Sequence, residues 1–152
     1  MIEVKITTPM SEIDKYLEEA QKQLIQHIRD ALIEAGREAV EEARANGQYQ
    51  DRTGNLRSSI GAVVAMSGEV VWESDFNVVL GGEEGAAKGR ELALSKVIEN
   101  SDAEFCIVLV AGEDYAIYVQ AVHGLDVMAG GEALLREQLE STVPIKMQEV
   151  KV

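Results

Sequence analysis

The chain has 152 residues, the length of one ordinary domain, and its formal net charge is −13. That charge is spread evenly, with nets of −4, −4 and −5 over residues 1–50, 51–102 and 103–152, so no basic stripe exists to neutralise phosphates and direct nucleic-acid binding is disfavoured. No apolar run approaches the roughly 18 residues of a membrane span, and the N-terminus lacks a basic region followed by an apolar stretch, so no secretory signal is visible.

A single domain over residues 1–152 is expected, large enough to bury roughly 70% of its unfolded surface. Cys106 is the only cysteine and sits in an apolar run. It excludes an internal disulfide and reads as a buried structural thiol, which fits synthesis in a reducing cytoplasm.

In chain order, Met1 to Thr7 alternates Ile2, Val4 and Ile6 with polar residues, a short strand signal. Pro9 breaks it, and Ser11 is placed to cap a helix. From Glu12 to Ala45 apolar residues recur at Ile13, Leu17, Ala20, Leu24, Ile28, Ala31, Leu32, Ala35 and Ala39. This is an amphipathic helix whose face becomes alanine-rich toward its end, stopped at Asn46-Gly47. At ~1.5 Å per residue it is about 50 Å long, whereas a compact domain of this size is roughly 40 Å across. The helix therefore either kinks near Gly36 or lends part of its apolar face to a neighbouring chain. The second alternative is preferred, with Ala31, Ala35 and Ala39 as the interface.

The stretch Asp51-Arg52-Thr53-Gly54-Asn55-Leu56-Arg57-Ser58-Ser59-Ile60, with Tyr49 ahead of it, reads as a tight joint. Thr53 is the expected N-cap, its hydroxyl accepting from the amide of Leu56 or its neighbour. Gly54 permits close backbone approach or unusual dihedrals. A short helical turn from Asn55 to Ser59 puts Leu56 and Ile60 on one face, and the planar forks of Arg52 and Arg57 suit carboxylates.

Ile60 to Met66 and Glu69 to Asp75 read as a hairpin around Ser67-Gly68, with Phe76 to Leu80 as an extension of the second strand. Gly81 to Gly89 reads as a flexible, charged loop. Arg90 to Glu99 reads as a helix with Leu94, Val97 and Ile98 on its apolar side, and Glu104 to Ala111 as a strand. Asp114 can cap a short helix from Tyr115 to Val122, where Tyr115 and Tyr118 share a face and pack with their hydroxyls at the edge of the core. A helix over Gly131 to Ser141 and a last segment after Pro144, strand or helix, complete the chain. The class is α+β: a long N-terminal helix packed on an antiparallel β-sheet, with short additional helices.

Residue sets for catalysis are missing from the pattern. His27 and His123 have no Cys or His partner at ligand spacing, and no H-E-x-x-H, paired C-x-x-C or EF-hand loop occurs. No catalytic residue, no metal site and no cofactor is therefore expected. Gly81-Gly82-Glu83-Glu84-Gly85 lacks the lysine–serine/threonine ending of a phosphate loop and places two acids where phosphates would sit. Glu18-Glu19 and Glu41-Glu42 read as a solvated helix face. An acidic regulator imitating DNA is the competing function. Against it, Glu34, Arg37, Glu38, Glu41 and Arg44 alternate in sign along the long helix.

The Tyr49-x-Asp51-Arg52-Thr53-Gly54-Asn55-Leu56-Arg57-Ser58-Ser59-Ile60 stretch resembles the signature of the neck and tail-completion proteins of long-tailed phages. In that family a long N-terminal helix precedes a D-x-T-G-x-L-R-x-S-I-like element, strands come next, and an aromatic Y-A-x-Y-V-E-x-G-like element comes later. Here Tyr115-Ala116-Ile117-Tyr118-Val119-Gln120 stands in the expected order. Gln120 replaces the usual Glu, and His123-Gly124 comes later than the usual glycine. The family's Pro-Phe-rich approach to the last helix is replaced by residues 126–131. The resemblance implies a non-enzymatic virion protein made in the host bacterial cytoplasm. It further implies a homo-oligomeric ring at the head–tail junction or tail end, docked on other head–tail connector and tail proteins. Its motif residues would be Tyr49, Asp51, Arg52, Thr53, Gly54, Asn55, Leu56, Arg57, Ser59, Ile60, Tyr115 and Tyr118.

Overall fold

The computed structural model describes residues 5, 7–47, 52–112 and 128–142. The first helix, α1, runs unbroken over Met10–Asn46. It begins one residue before Ser11, so the expected cap is displaced. Pro9 holds the N-cap position without a side-chain cap, and its carbonyl accepts from the amides of Glu12 and Ile13. The fixed φ of proline is compatible with a helix start, so the helix begins there without a side-chain cap. Gly47 ends the helix with φ −59°. The stop therefore lies at Asn46-Gly47 without the left-handed glycine geometry that the dipeptide suggests.

Gly36 does not interrupt α1, which is one continuous helix through it. It is a point of close approach: a Cβ there would meet Trp72 at 3.2 Å and Ile107 at 3.3 Å. Around it, Leu32, Ala35, Gly36, Ala39, Val40 and Ala43 are buried. Toward the other end of the helix, Met10, Tyr16, Leu17 and Leu24 are exposed.

After α1, a single helical turn α2 covers Asn55–Ser58 and leads into strand β1, Ile60–Met66. β1 pairs antiparallel with β2, Glu69–Glu73, through Ser67 and Gly68, both at positive φ (49° and 81°). Two consecutive left-handed residues are the geometry of a type I′ hairpin turn, whose twist matches the strands. The register shifts between Val64 and Ala65, since Val64 faces Trp72 and Ala65 faces Val70. Val71 is thus the bulged residue. On the other side β1 pairs antiparallel with β3, Phe105–Ala111, giving the order β2-β1-β3.

The expected extension of β2 through Phe76–Leu80 is not a strand. Phe76 and Leu80 have positive φ (41° and 52°), and the chain turns to seat buried Phe76 on Gly61. Nor is Gly81–Gly89 a loop. Helix α3 spans Glu83–Glu99 and buries Gly85, Gly89, Ala93 and Val97, a stripe with a four-residue step. Ile98, expected on the apolar side, is 73% exposed. Glu83 and Glu84 occupy the first turn of α3, where carboxylates complement the positive end of the helix dipole. The last described helix, α4, spans Ala129–Thr142.

Helices cover both faces of the sheet. Leu32, Ala35 and Ala39 of α1 pack with Val64 of β1 and with Leu135 and Leu139 of α4. Val63 and Ala65 of β1 pack with Phe76, Ala93, Val97 and Val110 on the other side. β1 is enclosed from both directions, which is why it reads as a continuous apolar run rather than an alternation.

This arrangement corrects one assignment. Ala35 and Ala39, expected to meet another chain, are buried within this one, and Ala31 is half-buried at the margin. The small side chains let α4 approach so closely that a Cβ at Gly131 would meet the carbonyl of Ala39 at 2.5 Å and the Cβ of Ala43 at 3.0 Å. The predicted strand over Met1–Thr7, the helix over Tyr115–Val122 and the segment after Pro144 lie outside the described residues; within the first of these, Lys5 and Thr7 are exposed and not in a strand.

Candidate functional site

The residues singled out by pattern converge on a buried junction where α1, α2, α3, β1 and the end of β3 meet. Gly54 occupies the N-cap of α2 in the left-handed region (φ 79°, ψ −8°), a conformation that costs an L-residue about 1 kcal/mol or more. A Cβ there would also collide with the carbonyl of Val79. The expected role of Thr53 moves one residue on. Thr53 is exposed, and its hydroxyl accepts from the Asn55 amide at 3.4 Å, a long contact. The carbonyl of Gly54 takes the Ser58 amide at 2.9 Å, and this closes the turn. Leu56 and Ile60 do share a face, and they form a small core with Ala43.

Ser58 and Ser59 are fully buried, and their hydroxyls face different partners. Ser58 Oγ accepts from the Val79 amide at 2.8 Å, fixing the loop between β2 and α3. Ser59 Oγ donates to the Leu56 carbonyl at 2.8 Å and accepts from the Gly112 amide at 3.1 Å, fixing the end of β3. Arg44 reaches in from α1. Its Nε donates to the Ile60 carbonyl at 3.1 Å, and its Nη2 to the carbonyls of Ser58 at 3.4 Å and Asn77 at 3.1 Å. One guanidinium thus ties the long helix to the first residues of the sheet and to the loop beyond β2.

Glycines line the contact between α2 and α3. A Cβ at Gly82 would meet Ser58 Oγ and the Gly54 carbonyl, one at Gly85 the Asn55 carbonyl, and one at Gly89 the Ser59 carbonyl. Backbone rests directly on backbone, which is possible only where Cβ is missing. Ser58 stands in the selected stretch but not among its motif residues, Gly85 and Gly89 read as part of a loop, and Arg44 is not selected for the junction at all. The four-residue step Gly85, Gly89, Ala93, Val97 is the available signal. Arg52 is exposed and Arg57 half-buried. Tyr49, Asp51, Tyr115 and Tyr118 lie outside the described residues.

Chemically the junction holds a shape. Both serine hydroxyls are engaged with backbone groups, and among the described residues their partners include no imidazole, amine or carboxylate. Among the described residues no group of three or more His, Cys, Asp or Glu is placed to hold a metal ion, and no helix is long and apolar enough to cross a membrane. Cys106 on β3 packs beside the α3-facing core, and burial pushes its thiol pKa up, away from the thiolate needed for nucleophilic chemistry. An open groove of about 350 Å³ runs between α1 and the chain after β2, lined by Arg37, Val40, Glu41, Arg44, Trp72 and residues 73–77. Its walls carry both signs of charge.

A sequence-family model, HK97-gp10-like, described as "Bacteriophage HK97-gp10, putative tail-component", matches residues 11–120. The chain belongs to this family of phage tail components. The HK97-gp10-like match spans α1, the whole junction, the sheet and α3, and includes both stretches on which the resemblance rested. It ends before α4, the helix that covers the alanine face. Neither a curated protein nor a solved structure matches the chain.

Proposed function

We propose that this tail component acts by binding, without catalysis, as a single-domain subunit of a ring at the head–tail junction or the tail end of the virion. The observation that carries this reading, beside the family, is the uncovered half of α1. Met10, Leu17 and Leu24 are exposed on a helix whose other half is packed into the core. An apolar stripe projecting from a rigid body suits contact with another protein. The junction sets the angle at which α1 leaves the sheet, so the arm would be presented to ring neighbours and to adjoining connector and tail proteins in one orientation.

The acidity fits a subunit that DNA passes without sticking. The charges are interspersed, as in the pairs Arg37–Glu34, Lys88–Glu84, Lys96–Glu99 and Arg136–Glu132, rather than arrayed in one sign as a phosphate imitation requires.

Deletion of the gene from the phage, with complementation in trans, tests the reading. Filled heads and tails that fail to join, or tails with an unfinished end, are the expected products. Normal infectious particles made without the protein would overturn it.

A further inference from the structure

We propose that the outer edge of β3 is a docking site for the segment Ile2–Ile6 of a second copy, so that adjacent subunits exchange a strand. This rests on the ring reading above and names the contact.

The two edges of the sheet differ. β2 is five residues long, begins and ends with Glu69 and Glu73, and faces a register shift. Short length, charge and a bulge are the devices that keep an edge from pairing. β3 has none of them. It runs seven residues, Phe-Cys-Ile-Val-Leu-Val-Ala, with no charge and no proline, in unbroken register with β1 from Phe105 to Ala111.

Among the described residues nothing pairs with its outer side. The alternation fixes which groups point there. The Gly112 amide reaches the Ser59 carbonyl, so Gly112 faces β1, and Val110, Val108 and Cys106 continue with a two-residue step. The peptide groups of Phe105, Ile107, Leu109 and Ala111 therefore face away from β1. Left unpaired, such a row is a template for another strand.

The occupant is argued from reach. Ile2, Val4 and Ile6 alternate with polar residues, the pattern of a strand with one covered face. They precede Met10, at the exposed end of α1. Ile28 packs on the main core, and the helix from Ile28 out to Met10 is about 27 Å long at ~1.5 Å per residue. Phe105, the nearest end of β3, belongs to the same core cluster as Ile28. Residues 2–9, fully extended at ~3.3–3.6 Å each, span at most about 26–29 Å. With Phe105 level with Ile28, returning to it takes about that whole length and leaves little to run along β3. The segment cannot ladder onto its own sheet, whereas α1 carries it outward to the sheet of a neighbour. Such a contact is heterologous, with different surfaces on the two copies, and that is the kind that closes into rings.

Cys106, the only cysteine, lies on β3 and serves as the reporter. Single substitutions Ile2→Cys, Glu3→Cys, Val4→Cys, Lys5→Cys and Ile6→Cys are mildly oxidised in purified virions and in concentrated isolated protein. The expected result is a series of covalent multimers from the one position seated opposite Cys106, with little or none from its neighbours, because a disulfide requires Cβ atoms ~3.5–4.5 Å apart and same-face neighbours along a strand lie ~7–8 Å off. Adding Cys106→Ser abolishes it.

Virions that contain the protein and give no multimer at any position overturn the strand exchange and leave the virion role standing. Multimers from a protein missing from virions overturn the virion role and leave the exchange standing. Neither multimers nor incorporation overturns both. A disulfide formed within one chain, from these positions or from Met147→Cys in the C-terminal segment, assigns the edge to the chain itself and overturns the exchange.

Discussion

Along α1, residues Met10–Leu24 and Leu32–Ala43 carry the same kind of amphipathic repeat and meet opposite fates. The second half is sealed by the sheet and by α4, with Ala39 at 0% exposure. In the first half Leu17 and Leu24 are each 59% exposed. The difference lies in what covers each half. The buried half sets Ala35, Gly36, Ala39 and Ala43 beside Leu32 and Val40, and its small residues admit the Gly131 backbone of α4 and the side chains of Trp72 and Ile107 from the sheet. The exposed half carries Leu and Tyr side chains that no core cluster includes. Amphipathicity announces that a face will be covered; it does not say by which chain.

The largest expected effect comes from charging the sealed half. Ala39→Glu places a carboxylate at a position with 0% exposure, packed among Val64, Leu135 and Leu139. The cost of burying an unpaired charge puts this substitution among those above about 4 kcal/mol, close to the whole stability of many domains. Circular dichroism should show loss of cooperative folding. This reverses what the interface assignment of Ala35 and Ala39 would give, namely a folded chain that fails to assemble. A folded, assembly-defective Ala39→Glu protein would restore that assignment.

Next in size is the junction that holds α1 to the sheet. Gly54→Val combines a left-handed φ of 79° with a Cβ driven into the Val79 carbonyl. Backbone strain of about 1–3 kcal/mol adds to displacement of the loop, so a loss of more than about 3 kcal/mol in denaturant titration is expected. Thr53→Ala, at the neighbouring residue, should cost under about 0.5 kcal/mol. Its bond is exposed and 3.4 Å long, unlike an N-cap worth about 1 kcal/mol. Equal losses for the two variants would mean that Thr53 caps the turn after all.

How much of the fold is legible in the sequence depends on the range of each signal. α1 and the β1–β2 hairpin are readable because their causes are local: a 3.6-residue apolar period, and Ser67-Gly68 in a turn that needs two positive φ values. The first half of α3 reads as a loop because Gly81, Gly82, Gly85 and Gly89 are locally helix-breaking. For Gly85 and Gly89 the reason is tertiary: the carbonyls of Asn55 and Ser59 lie where a Cβ would be. The junction motif is visible, but Arg44 is not, since a guanidinium that binds three carbonyls leaves no spacing to detect. The alanine face points to a foreign chain because its cover, α4, lies about ninety residues on in sequence. No periodicity within α1 can carry that information.

The smallest effect on stability, and the sharpest contrast with Ala39, is expected at the exposed half. Leu17→Ser with Leu24→Ser removes two apolar side chains that no core cluster includes. Surface changes away from special features lie within about ±0.5 kcal/mol, and serine lowers helix propensity only modestly. The melting curve should therefore stay near the parent's. If the stripe is there for a partner, the same double variant should be poorly incorporated into virions while folding normally. A large loss of stability would instead place these leucines in contact with their own chain, and the two halves of α1 would no longer differ.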